Sequence, residues 1–228
     1  MLRFAQTAML VALILPLFSS SVNGEIVRVA RRYNVISFFA GSSSPVGKYE
    51  GIAGFVDFLD EQGRLVEVDG DKVYDPTYNL GLSYGQLRNN QMLLDVGFRY
   101  TRIEQAGDNP LIFFGPDDQT AEAKLHQYDL EIAFYYLFMN IVEKSFAPFV
   151  GVGVRAGFTN ASASGFESES HINTVFMASG GAELKLWEGA KKQSFMTLAS
   201  VNSYDLFASG NRPKYLNVGA ALKYYFRP

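Results

Sequence analysis

The sequence contains no cysteine, so neither disulfides nor thiolate metal clusters hold this chain together. Exported domains of this size often carry disulfides, and one without them needs another source of stability, such as a closed hydrogen-bonded sheet. Charge is sparse as well. Asp, Glu, Lys and Arg make up 19% of the 228 residues, against roughly 25% in an ordinary soluble domain. There are two histidines, which narrows the room for acid–base or metal chemistry. After Gly24 no apolar run approaches the roughly 20 residues that a helix needs to cross a bilayer. If the mature chain enters a membrane, it does so with strands. No basic stripe is present and the formal net charge is −3, so no nucleic acid partner is expected.

What the chain does have is aromatics and glycine: 13 Tyr, 19 Phe and 21 Gly. That mixture suits strands better than helices. The N-terminus reads differently. Arg3 precedes an uncharged apolar run, Ala8 to Phe18. Ser19 to Gly24 then supplies small and polar residues, with Val22 and Gly24 at suitable −3 and −1 positions. Residues 1–24 are therefore expected to be a cleaved export signal, and residues 25–228 one β-barrel domain.

Within that domain a period of two recurs. Tyr78, Leu80, Leu82 and Tyr84 alternate with Asn79, Gly81, Ser83 and Gly85. After the polar turn Arg88–Gln91, Leu94, Val96, Phe98 and Tyr100 alternate with Asp95, Gly97, Arg99 and Thr101. The same holds around Asp129 and Glu131, around Gly151, Gly153 and Arg155, around Glu183 and Lys185, and around Gly219 and Lys223. Tyr33–Gly41 and Gln193–Asp205 are also expected strands, with no assignable inward face. The connections Arg88–Gln91, Phe138–Phe146 and Glu188–Lys192 are short. Ser42–Thr77, Glu104–His126, Asn160–Ile172 and Leu206–Lys214 are mostly longer and more polar. This is the asymmetry of an eight-stranded antiparallel up-and-down barrel in an outer membrane. The apolar stretches Gly51–Leu59 and Arg64–Val68 inside the longest connection suggest a hairpin or helix over the barrel mouth. Ten strands in all is the competing count.

The face that meets lipid decides the class, because a soluble carrier barrel also alternates. Three features turn the oily face outward. Glycines concentrate on the polar face, where a narrow barrel interior needs them. Aromatics gather towards strand ends on the apolar face, as at lipid–water interfaces. The charges Asp95, Arg99, Asp129, Glu131, Arg155, Glu183, Lys185 and Lys223 are four acids and four bases. They are expected to pair as a lumen network, since a buried charge without a partner is costly.

In three places the chain resembles the small outer-membrane β-barrel superfamily, the opacity-protein and OmpA/OmpX/OmpW-like group of Gram-negative bacteria. These are Phe38-Phe39-Ala40-Gly41 through Gly47, Ala147-Pro148-Phe149-Val150-Gly151-Val152-Gly153, and the last strand Asn217 to Phe226. The resemblance implies a barrel-assembly signal carried by Gly219, Leu222, Tyr224 and Phe226, although Arg227 and Pro228 follow the terminal aromatic here. It also implies outer-membrane lipid, lipopolysaccharide and the barrel-assembly machinery as partners, with an extracellular partner for the loops.

Candidates for chemistry are thin. His126 and His171 each fall near the loop-side start of a strand and could approach each other at the rim, with Ser168, Glu169 and Ser170 nearby. Asp69-Gly70-Asp71 with Asp75 lacks the full spacing of a calcium loop. Asn160-Ala161-Ser162 reads as loop. No catalytic residue, cofactor or metal is assigned. The expected role is non-enzymatic: envelope structure or surface-loop binding. A narrow channel or hydrophobic-ligand conduit is the alternative, and a lipid A-modifying enzyme the second.

Overall fold

Alternation of oily and polar side chains forces a strand to choose faces, and eight strands here make the same choice. A computed structural model describes residues 32–49, 51–52, 56–57, 64, 67–69, 74–105, 123–163, 169–208 and 214–228. The expected export signal lies outside the described residues. The barrel strands are β1 (Tyr33–Val46), β2 (Thr77–Arg88), β3 (Met92–Gln105), β4 (Ala123–Leu137), β5 (Phe146–Ala163), β6 (Glu169–Glu188), β7 (Ser194–Ala208) and β8 (Lys214–Phe226). Each pairs antiparallel with its sequence neighbours, and β8 pairs with β1 to close the ring.

The closure is staggered. From Phe39 the cross-strand partners run through Gly81, Arg99, Asp129 and Gly157 to Asn173. In the other direction they run through Ala221 and Ala199 to Glu183. The two routes meet β6 at positions 183 − 173 = 10 residues apart. Such an offset tilts every strand against the barrel axis, as closure requires.

Short turns lie at one end. Asn89 and Asn90 take φ of 51° and 60°, and Gln91 N–H donates to the Arg88 carbonyl at 3.2 Å. This is the left-handed geometry that tight hairpins favour and that Asn tolerates. The strands run further at the other end than the sequence suggests. β5 has 18 residues and β6 has 20, whereas roughly 9–11 tilted residues cross a bilayer. Asn160, Ala161 and Ser162, expected in a loop, are the continuation of β5. Within the long connection after β1, Lys48–Tyr49 pairs with Val68–Asp69, Gly51–Ile52 with Val56–Asp57, and Tyr74–Asp75 with Gln105 and Glu104 of β3. Among the described residues, these pairings make hairpin pieces and no ninth or tenth barrel strand.

The two strands without a readable face now have one. Tyr33, Val35, Ser37 and Phe39 of β1 are buried inside, as are Phe195, Thr197, Ala199, Val201, Ser203 and Asp205 of β7. Two β-bulges break the alternation, between Lys185 and Trp187 and opposite the Phe176–Met177 step. Each turns two successive side chains outward, Leu186 with Trp187 and Leu206 with Phe207. One extra residue in one strand of a pair produces this re-aiming.

Inward glycines are matched to inward aromatics. A Cβ on Gly151 would meet the Tyr135 ring. A Cβ on Gly219 would lie 2.5 Å from the Ala40 carbonyl oxygen and 2.7 Å from Phe39 Cζ. We expect Gly219→Val to destabilise the barrel by about 1–3 kcal/mol through overpacking. The adjacent outward Ala220→Val should be nearly neutral. Urea unfolding of the lipid-embedded protein, read by gel mobility, measures both; equal effects would contradict the inward packing.

Candidate functional site

The middle of the barrel is ionic. Arg155 on β5 is 2% exposed. Its Nε donates to Glu131 Oε2 at 2.8 Å, its Nη1 to Asp205 Oδ1 at 3.2 Å and its Nη2 to Ser203 Oγ at 3.1 Å. Arg99 Nε meets the same Glu131 oxygen at 3.1 Å, and its guanidinium lies 4.3 Å over the Phe39 ring. Asp129 stands opposite Arg99 in the ladder and is buried. Four strands thus feed one cluster. Period two aims these side chains at the axis, and the barrel's small bore brings them within reach.

Nearer the short-turn end, Glu183 is fully buried and gathers Lys223 Nζ, the Tyr225 hydroxyl at 2.7 Å and the Thr197 hydroxyl at 3.1 Å. The Lys223 ammonium lies 5.4 Å from the Tyr135 ring centroid and 5.2 Å from that of Phe149. Below this layer the interior turns apolar. Leu87, Leu93, Leu137, Ile141, Val142 and Ala147 pack with Tyr33, Phe195 and Tyr225. The rings of Phe195 and Tyr225 stack at 4.4 Å. Ile141 and Val142 belong to the Phe138–Phe146 turn, which folds inward as a floor.

Lys185 lies apart from this network. It faces inward in phase with Glu183 but sits nearest the turn, where it caps the floor, donating to the Val142 carbonyl at 2.9 Å and to Glu188 at 2.6 Å. Asp205, which the sequence reading missed, sits at the centre instead. The buried charges among the described residues are Asp95, Asp129, Glu131, Glu183 and Asp205 against Arg99, Arg155 and Lys223. Five acids to three bases is not the balanced set expected. Neutral donors offset the excess: Ser83 to Asp95 at 2.8 Å, Thr197 and Tyr225 to Glu183, and the Tyr215 amide to Asp205 at 3.2 Å. Hydrogen bonds to an ionised acceptor are the stronger kind.

A cavity of about 40 Å³ lies between the two ionic layers. Ser37, Asp95, Arg99, Glu131 and Lys223 line it, and Ser37 Oγ, Asp95 Oδ1 and Arg99 Nη1 reach it without a protein partner. It is polar and large enough for ordered water. Towards the loops, Asn79 Nδ2 donates to Asn217 Oδ1 at 3.1 Å, and Asn173 Nδ2 to Thr159 Oγ1 at 3.0 Å.

Outside, the exposures invert. Leu82 is 59% exposed and Val152 60%. Tyr78, Tyr100, Tyr128 and Phe158 form one continuous aromatic row towards the loop end. An apolar belt on this scale is unstable in water and needs lipid. With an ionic interior, it gives the arrangement of outer-membrane barrels.

His126 and His171 stand opposite Asn160 and Thr159, on strands that flank β5 from either side. His126 Nδ1 is already bonded to the Tyr100 hydroxyl at 2.8 Å. Ser168, Gly70 and Asp71 lie outside the described residues. Among the described residues, no group of three or more His, Cys, Asp or Glu could hold a metal ion.

No family model and no curated protein sequence matches the chain. Solved structures do resemble it in fold. Ail, the attachment invasion locus protein of Yersinia pestis, solved with the heparin analogue sucrose octasulfate, has a TM-score of 0.49 and 13% identity over 86% of this chain and 99% of its own. The outer membrane protein OprG from Pseudomonas aeruginosa gives 0.46 and 11%, over 85% and 96%. Neisserial surface protein A gives 0.42 and 12%, over 84% and 94%. These likenesses are of shape; the lipid-facing orientation stands on the barrel's own exposure pattern.

Removing one partner of a buried pair strands the others. Arg155→Ala leaves Glu131 and Asp205 short of their shared cation and is expected to cost about 3–5 kcal/mol. Arg155→Lys, which keeps the charge but loses the fork, should cost less. Denaturant titration in lipid vesicles checks the order; a loss under about 1 kcal/mol for Arg155→Ala would contradict the described network.

Proposed function

We propose that this barrel, seated in the bacterial outer membrane, is a non-enzymatic scaffold that stabilises the envelope and presents its long connections for binding outside the cell. The observation that carries this reading is the filled lumen. Two ionic layers and an apolar floor occupy the bore, and the cavity between them holds about 40 Å³. A diffusion channel needs a continuous wet path, and a conduit for hydrophobic ligands needs a continuous apolar one. The ionic layers oppose the second and the floor opposes the first. Rigid strands that overhang the bilayer, with paired segments beyond β1, suit a platform whose connections make the contacts. The partners are then lipid and lipopolysaccharide along the belt, and an extracellular ligand at the loops.

Residues 1–24 serve in this reading as the export signal. Gly219, Leu222, Tyr224 and Phe226 serve as the signal for barrel insertion. They lie on β8, the strand that closes the ring against β1. Arg227, beyond the terminal aromatic, adds a seam contact: its guanidinium lies 5.2 Å over the Tyr33 ring and donates to the Tyr33 hydroxyl at 3.0 Å.

Protease treatment of intact cells should cut within the connections at residues 47–76 and 106–122 and leave the β-strands as a protected core. Refolded protein in planar bilayers should give no conductance steps. Uncut connections would remove surface presentation, and steady unitary currents would favour the channel.

A further inference from the structure

The short-turn end carries a charge pattern that the scaffold reading leaves unused. Arg32, Lys144 and Lys191 are exposed there and Lys192 is partly exposed. Among the described residues the neighbouring acids in the turns are Glu143 and Glu188; Glu188 is held by Lys185 at 2.6 Å and also lies within electrostatic reach of Lys192. The belt ends immediately beside these cations: Phe138, Phe146 and Trp187 are outward and about half exposed. Aromatic side chains in that position mark the lipid–water interface, which puts the lysines at headgroup depth.

The backbone adds an independent observation. Lys191 and Lys192 take φ of 54° and 55°, a left-handed conformation that long side chains rarely adopt. In the hairpin between β2 and β3 the same conformation falls to Asn89 and Asn90, the residue type it favours. The lysine turn is held by Gly189 N–H donating to the Ser194 carbonyl at 2.8 Å, and by the Tyr33 hydroxyl donating to the Lys192 carbonyl at 2.8 Å. Two lysines thus stand where the backbone prefers asparagine or glycine. Strain of this kind is kept where the side chain has a task.

We propose that this rim is a docking surface for the phosphate groups of anionic phospholipids in the leaflet at the short-turn end, engaged by Lys144, Lys191 and Lys192. The proposal rests on the membrane seating argued above. An ammonium on a flexible stem can lay its methylenes along the aromatic rim and keep its charge at the phosphates. Attraction between a basic rim and an anionic surface adds per cation and fades with salt. A protein partner or a cell-wall polymer would not need the cations level with an aromatic belt.

The full barrel is refolded into vesicles of phosphatidylcholine alone and of phosphatidylcholine with phosphatidylglycerol. The temperature at which the folded gel band is lost is then read at low and high salt. Wild type should persist to a higher temperature in the mixed vesicles, and high salt should erase the gain. The variant Lys144→Gln with Lys191→Asn and Lys192→Asn should lose at least half of the gain while remaining as stable as wild type in phosphatidylcholine alone, because asparagine suits the turn. Lys191→Arg with Lys192→Arg should retain the gain. Equal behaviour of wild type in both vesicles, or an undiminished gain in the asparagine variant, overturns the docking surface and leaves the membrane seating intact. Failure to fold into either vesicle overturns both. A rim that binds a soluble cell-wall fragment but shows no lipid dependence counts against the lipid assignment.

Discussion

A sheet that closes on itself has no edge, and inside a bilayer that constraint governs everything else. Every backbone N–H and C=O at membrane depth needs a partner within the protein. The β8–β1 ladder supplies the last of them, pairing Asn34 through Val46 with Phe226 through Lys214. Once the ring is closed with its ten-residue stagger, each inward side chain has a fixed set of neighbours. The charges on β3, β4, β5, β6, β7 and β8 must then find their partners among one another and the inward hydroxyl and amide groups.

The consequences run outward and inward from the same geometry. Outside, every second residue meets lipid, so Leu80, Phe98, Ile132 and Val152 face the acyl chains. Inside, the bore is too narrow for bulk water, and the sequence fills it in layers: aromatics over an apolar floor, a Glu183–Lys223 layer, then the Arg99–Glu131–Arg155–Asp205 layer. Glycine on one strand makes room for an aromatic from another, as Gly151 does for Tyr135. The proposed scaffold role rests on this filling, which leaves the two rims and the connections for contacts.

The sequence made most of this legible where one face is polar and the other is not. β2, β3, β4, β5, β6 and β8 can be assigned in both period and direction, because Asp95, Arg99, Glu131, Arg155, Glu183 and Lys223 mark the inner face. β1 and β7 could not be assigned. At the floor both faces are apolar: Val35 and Phe39 point inward while Ile36 and Phe38 point outward, and Phe195 and Ala199 point inward while Leu198 points outward. Asp205 is hidden for the opposite reason: further along β7 polar residues fall on both faces, with Asn202 outward and Ser203 inward. Lys185 reads as inward, which the ladder keeps, but the folding of Val142 under the barrel, which supplies its partner, has no period-two signal. Asn160–Ser162 reads as loop because β5 overhangs the bilayer, where the outer face no longer has to be oily.

The account depends on Leu130 and Ile132 facing acyl chains while Ala133 faces the bore. The absence of cysteine makes a direct measurement straightforward. Single substitutions Leu130→Cys, Ile132→Cys and Ala133→Cys, each carrying a small fluorescent label, are compared in vesicles with and without brominated acyl chains. The account predicts strong quenching at 130 and 132 and little at 133. Quenching at 133 with protection at 130 and 132 would invert the barrel and contradict it.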